Sequence, residues 1–226
     1  MIWVLLIVLI GALVFGPTLW VRSVMSRHSA ERPDIPGSGG ELARHLLDSA
    51  NLQDVIVEQS SVGDHYDPTE KAVRLTKANY ENHSLTAVAV AAHEVGHALQ
   101  DRDGYKPLHA RQRMNKAAAL TDTIGSVVLF ALSFAGTAAA GPRMLMLGVI
   151  AVILMGLIRV AANLITLPVE LDASFKRALP ILEHGAYVSE DDLPAARGIL
   201  KAAAYTYVAA SAMQLLNFLR LLRGMR

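Results

Sequence analysis

The chain has 226 residues, 53% of them hydrophobic, with 21 basic side chains against 20 acidic ones and no cysteine. A formal charge of +1, with no basic stripe interleaved with aromatics, excludes a nucleic-acid partner. The missing cysteines exclude disulfides, thiolate zinc sites and a cysteine nucleophile, so any zinc must be held by histidine and carboxylate.

Residues 1–21 are almost purely apolar and long enough to span a bilayer. They carry neither the basic start nor the small-x-small cleavage site of a signal peptide, so an uncleaved anchor is expected. Residues 32–40, with Pro33, Pro36 and three glycines, read as a linker. Leu42, Leu46 and Leu47 then give the spacing of an amphipathic helix over 41–50. Alternation at Val55 and Val57 predicts a strand over 54–60, and 72–76 predicts another, with Gly63-Asp64 and Asp67-Pro68 as turns between them. The pair reads as a β-hairpin whose free edge could hold an extended peptide by backbone hydrogen bonds, or simply cover the next helix.

That helix is expected over 85–102, capped by Asn82 or Ser84 and ended by Asp103-Gly104. Inside it stands His93-Glu94-Val95-Gly96-His97, an H-E-x-x-H motif. Residues four apart share a helix face, so His93 and His97 can aim their imidazoles at one metal ion. Glu94, beside them but not aligned with them, suits a carboxylate that works on water at that metal. Two histidine ligands and a general base form the zinc-protease arrangement, with the third ligand supplied from elsewhere.

Two further apolar stretches, about 124–140 and 144–158 continuing towards 169, are separated by Gly141-Pro142 and read as antiparallel spans. Two crossings return the chain to the side of His97, which makes Glu170 the best third ligand. If Arg159 marks the interface, Glu170 lies about 16 Å further along a continuous helix, just outside the membrane. The histidine candidates are poorer: His109 lies in a polar stretch, and His65 and His184 lie in turn-like sequence. Asp172 has two readings, as the hydrogen-bond partner of a ligand histidine or as a surface pair with Lys176. Arg177 either anchors a substrate carboxylate or neutralises Glu170. A last helix over about 194–222 is interrupted by Lys201, Gln214, Asn217 and Arg220, and whether it spans is open.

Twelve of the 21 basic residues lie between Arg22 and Lys116, and five more between Arg159 and Lys201. The positive-inside rule therefore puts both polar blocks in the cytoplasm. The expected fold is mainly α, a multi-span helical membrane protein with a small β-hairpin or sheet. Its organisation is an anchor over 1–21, a cytoplasmic zinc-peptidase segment over 22–119, a transmembrane hairpin over 120–169, and a third-ligand helix with a C-terminal helix over 170–226. The expected location is the inner (plasma) membrane.

Four segments, in order, resemble the bacterial neutral zinc metallopeptidases of the YugP type. They are Asp64-His65-Tyr66-Asp67-Pro68, Ala92-His93-Glu94-Val95-Gly96-His97-Ala98, Leu167-Pro168-Val169-Glu170-Leu171-Asp172-Ala173-Ser174 and Ala202-Ala203-Ala204-Tyr205-Thr206-Tyr207-Val208-Ala209-Ala210. The chain is more distantly similar to the gluzincin membrane proteases of the HtpX and CAAX-protease kind. The resemblance implies a zinc ion on His93, His97 and Glu170, Glu94 as base, and peptide-bond hydrolysis of a protein or peptide substrate. HtpX-like proteins carry an acid four residues after the ligand glutamate, where this chain has Ser174, so their outer contacts do not transfer. Tyr207, Tyr205 and His184 are candidates to stabilise the developing oxyanion. The expected partners are the substrate and the lipid bilayer, with a membrane partner protein or a second copy left open. The alternative is a zinc-stabilised, non-catalytic membrane scaffold, which would need the histidines but not Glu94.

Overall fold

The computed structural model describes residues 2–134 and 142–206. Its helices are α1 (Ile2–Arg27), α2 (Gly39–Ser49), α3 (Lys77–Glu81), α4 (Leu85–Arg102), α5 (Lys106–Phe134), α6 (Pro142–Leu171), α7 (Leu179–His184) and α8 (Leu193–Ala204). Strands β1 (Ile56–Ser60), β2 (His65–Asp67) and β3 (Ala72–Thr76) precede α3, and a π-helical segment, Asp172–Ala178, joins α6 to α7.

Local chemistry sets the ends of the central elements. The Ser38 hydroxyl accepts from the Glu41 backbone N–H, and the Glu41 carboxylate accepts from the Ser38 N–H. This reciprocal cap releases α2 from the proline-containing linker. Ser84 accepts from the Ala87 N–H to start α4, and Gly104, at φ +61°, lets the chain turn away after it. All residues of α4 from Leu85 to Gln100 are buried. A helix enclosed on every side belongs at the centre of a fold. Here α2 and the sheet cover one part of α4, while the π-helical segment, α7 and α8 cover another. Leu47, Leu75, Leu182, Ile199 and Leu200 fill the core around it.

The sheet order is β1-β3-β2. β1 runs parallel to β3, Ile56 opposite Ala72 and Ser60 opposite Thr76, while β2 pairs antiparallel with β3, Tyr66 opposite Val73. This corrects the expected hairpin of the first and last strands: the hairpin is β2–β3, and β1 joins from the other side. Asp64 pins the entry to β2, accepting from the Thr76 N–H and hydroxyl and from the Asn79 amide. The end of α1 is fastened to α4 by the Thr86 hydroxyl donating to the Met25 carbonyl, at 2.9 Å. The following linker is held by Arg32, which pairs with Asp192 beside α8.

The multi-span expectation is corrected. Among the described residues no helix is long and apolar enough to cross a membrane. The sequence shows where the apolar runs are cut. α5 carries Lys106, Arg111, Arg113, Lys116 and Asp122 before its apolar part, and the uncharged run of α6 between Arg143 and Arg159 spans about 22 Å against a hydrocarbon core of about 30 Å. The described side chains of α1 begin at residue 11 and include Arg22 and Arg27. The continuation of the last helix beyond Thr206 lies outside the described residues.

Candidate metal centre

His93 and His97 sit one turn apart on α4, their rings 4.7 Å apart and nearly perpendicular. Glu170, at the end of α6, meets both. Its Oε2 lies 3.0 Å from His93 Nε2 and 3.3 Å from His97 Nε2. The three side chains are 1% to 4% exposed, and one ligand atom of each lies within 4.8 Å of the others. Four ligands at about 2.0–2.1 Å in a tetrahedron stand about 3.3 Å apart. The spacing and the nitrogen and oxygen donor set therefore fit a zinc ion. Zinc chemistry is also what two buried imidazoles against one buried carboxylate suit, because such a cluster is otherwise costly to desolvate.

Each ligand side chain is held from behind. His93 Nδ1 lies 2.9 Å from the Ser174 Oγ, whose hydroxyl donates to the Leu200 carbonyl at 3.0 Å. His97 Nδ1 lies 2.9 Å from Gln100 Oε1, and the Gln100 amide donates to the Val169 carbonyl and to Asp172 Oδ1. Arg111, from α5, donates to Glu170 Oε1 at 2.5 Å, leaving Oε2 turned to the histidines. α4 and the π-helical segment pack at backbone distance: a Cβ on Gly96 would stand 2.8 Å from the Ala173 carbonyl oxygen. Only glycine fits there.

The two buried carboxylates differ. Burial pushes Glu94 up to about 7, partly offset by the charge of His93. Burial would raise Glu170 as well, but the charges of His97 and His93 and their hydrogen bonds hold it well below the usual carboxylate range. One carboxylate is thus kept ionised against the histidines, while the other is poised to take and release a proton near neutrality. Both line a cleft of about 340 Å³, bounded also by Met25 of α1, His65 and Tyr66 of β2, Arg111 and Thr206.

Not every candidate joins the cluster. Asp172 is buried two hydrogen bonds away from His97, through Gln100, and also lies 3.8 Å from Lys176. Arg177 pairs with Asp172 and Asp103, so it neutralises those carboxylates and not Glu170. His65 donates from Nδ1 to the Gly63 carbonyl and lines the cleft without belonging to the cluster. His109 lies on α5, outside the cluster. His184 ends α7, exposed, with Nδ1 on the Pro180 carbonyl. Tyr205 stacks edge-on against Trp20, with ring centroids 6.3 Å apart. Tyr207 lies outside the described residues. Gln100 and Arg111 went unnoticed in the sequence. Gln100 follows His97 by three positions on one helix and was findable, whereas nothing local marks Arg111 among the basic residues of α5.

Residues 2–226 match the family described as "Putative neutral zinc metallopeptidase". The "Putative membrane protease YugP" of Bacillus subtilis (strain 168) is 35% identical over 226 residues, 97% of this chain and 95% of that protein. No solved structure matches the chain significantly. With the match running almost from end to end and a His-His-Glu cluster able to hold a metal ion, the chain belongs to this neutral zinc metallopeptidase family.

Proposed function

We propose that the protein is a zinc-dependent endopeptidase in which His93, His97 and Glu170 hold the metal and Glu94 is the general base. The observation that carries this is the presence of Glu94, its carboxyl pushed up to about 7, in the same cleft as the three-residue cluster. A bound zinc ion would acidify water and polarise the scissile carbonyl. Glu94 would accept a proton from that water at its carboxylate and hand it to the departing amide nitrogen. The buried walls of the cleft would keep bulk water from the reacting bond. β2 is the edge of the sheet on the side opposite β1, and its His65 and Tyr66 line the cleft. An extended peptide substrate could add to that edge by backbone hydrogen bonds and lie across Glu94.

We place the protein at the cytoplasmic face of the bacterial inner membrane. The relative from Bacillus subtilis carries the name of a membrane protease. Exposed apolar side chains support the same reading: Leu19 and Trp20 on α1, Leu120, Ile124, Val127 and Phe130 along α5, and Leu154 and Leu157 on α6. Exposed apolar side chains of that size suit a contact with lipid or with another protein. Protein and peptide substrates, the bilayer, and a membrane partner or second copy are the partners this reading anticipates.

Metal content and casein cleavage, measured together on wild type, Glu94→Gln and Glu170→Ala, test the proposal. About one zinc per chain in wild type and Glu94→Gln, much less in Glu170→Ala, and cleavage by wild type alone are expected. Full zinc in Glu170→Ala would remove that residue from the ligand set. Equal cleavage by Glu94→Gln would remove the base. Zinc without cleavage of any substrate would favour a scaffold.

A further inference from the structure

Both ligand histidines point their second nitrogen at a neutral acceptor, and each acceptor is itself locked. The Ser174 hydroxyl spends its only proton on the Leu200 carbonyl, so towards His93 Nδ1, at 2.9 Å, it can only accept. Gln100 spends its amide protons on the Val169 carbonyl and Asp172 Oδ1, which fixes the oxygen end of the amide against His97 Nδ1, at 2.9 Å. Both residues are completely buried, so water cannot take their place. Each Nδ1 therefore donates, which leaves Nε2 of each ring facing Glu170 Oε2 as the atom available to an ion lying between them.

We infer that Ser174 and Gln100 are the positioning residues of the metal centre, holding His93 and His97 in the single tautomer and ring orientation that can bind a metal through Nε2. The inference rests on the zinc reading of the cluster. Two helices supply the anchors for the clamps, α8 through Leu200 and the end of α6 through Val169, so the imidazoles are aimed before any ion arrives. Because neither partner is a carboxylate, Glu170 supplies the negative charge of the ligand set. Asp172 acts one step further out: it orients Gln100, and Arg177 balances its charge.

The first test uses nitrogen NMR of the histidine rings in the purified full-length chain without metal. The inference requires His93 and His97 each to carry a proton on Nδ1, and a ring with Nδ1 unprotonated would overturn it. The second test is the zinc dissociation constant, measured by competition with a chromophoric chelator, alongside Tm. Ser174→Ala and Gln100→Leu should each bind zinc about 10–100-fold more weakly. Ser174→Thr, which keeps the hydroxyl, should hold zinc close to wild-type affinity even if its extra methyl lowers Tm. Wild-type zinc affinity in Ser174→Ala or Gln100→Leu would overturn the role of that residue. Equal loss of affinity in Ser174→Ala and Ser174→Thr, tracking Tm, would reduce Ser174 to a packing residue. A wild type that bound no zinc would remove the proposed function, whereas the ring tautomers would still be readable in the metal-free chain.

Discussion

Replacing Gly96 by alanine adds one methyl where α4 and the π-helical segment cross at backbone distance. Its Cβ would stand 2.8 Å from the Ala173 carbonyl oxygen and 3.3 Å from the Ala173 carbonyl carbon, where ordinary contacts begin at 3.4 Å. The neighbour is backbone and cannot swing aside, so α4 and the π-helical segment must part by about 0.6 Å. Gly96 lies one residue before His97, and Ala173 lies one before Ser174 and three after Glu170, so the gap opens between the histidines and their carboxylate. Metal–ligand distances tolerate only about 0.2 Å. The expected result is a zinc affinity at least about tenfold weaker, with overpacking of about 1–3 kcal/mol partly offset by the better helix propensity of alanine, about 1 kcal/mol. Chelator competition and Tm on purified Gly96→Ala measure both. Gly198→Ala is the control: it lies within α8, and a Cβ there meets nothing within 4 Å. Wild-type zinc affinity in Gly96→Ala would refute the claim that this contact sets the metal geometry.

Three further outcomes can be checked. Glu94 is raised from 4.5 to about 7 in the folded chain, so its neutral form is the one folding favours. That contribution is complete below about pH 4.5 and disappears as pH rises through 7, so zinc-free wild type should lose about 3 kcal/mol over that window relative to Glu94→Gln. Parallel Tm-against-pH curves for the two would contradict this. Arg111→Leu leaves the buried Glu170 carboxylate without its cation, which should cost the metal-free protein about 3 kcal/mol. Zinc should then raise Tm by more than it does in wild type, because the ion replaces the missing charge; an unchanged Tm without zinc would remove Arg111 from this role. Ser84→Ala should cost about 1 kcal/mol by uncapping α4, read in denaturant unfolding, with no effect on the histidine tautomers.

The limits of α4 were legible because its stops are local: a serine cap, and an Asp103-Gly104 exit. The histidine pair was legible for the same reason, since helical spacing alone aligns it. Glu170, separated from His93 by 77 positions, was reached through the family resemblance and through a pair of membrane crossings that the described helices do not support. Sheet order was not legible. β2 is three residues long and hidden between turn signals, and the parallel pairing of β1 with β3 depends on packing over α2 and α4. The multi-span reading extended the run over 144–158 towards 169 across Arg159, which cuts its uncharged length. Gln100, Ser174 and Arg111 act through side-chain contacts between distant segments, which periodicity does not report.

The rod that leaves α6 and ends in α7 does two jobs at different rotational settings. Glu170 must look at the histidines, and a few residues later Leu179 and Leu182 must look into the core. A π turn takes roughly one residue more than an α turn, so 172–178 retards the helical phase by about 100°. The segment is thus a phase shifter between metal and core. Removing one residue from it would let the helix regularise, and one of the two faces would then turn to the wrong side.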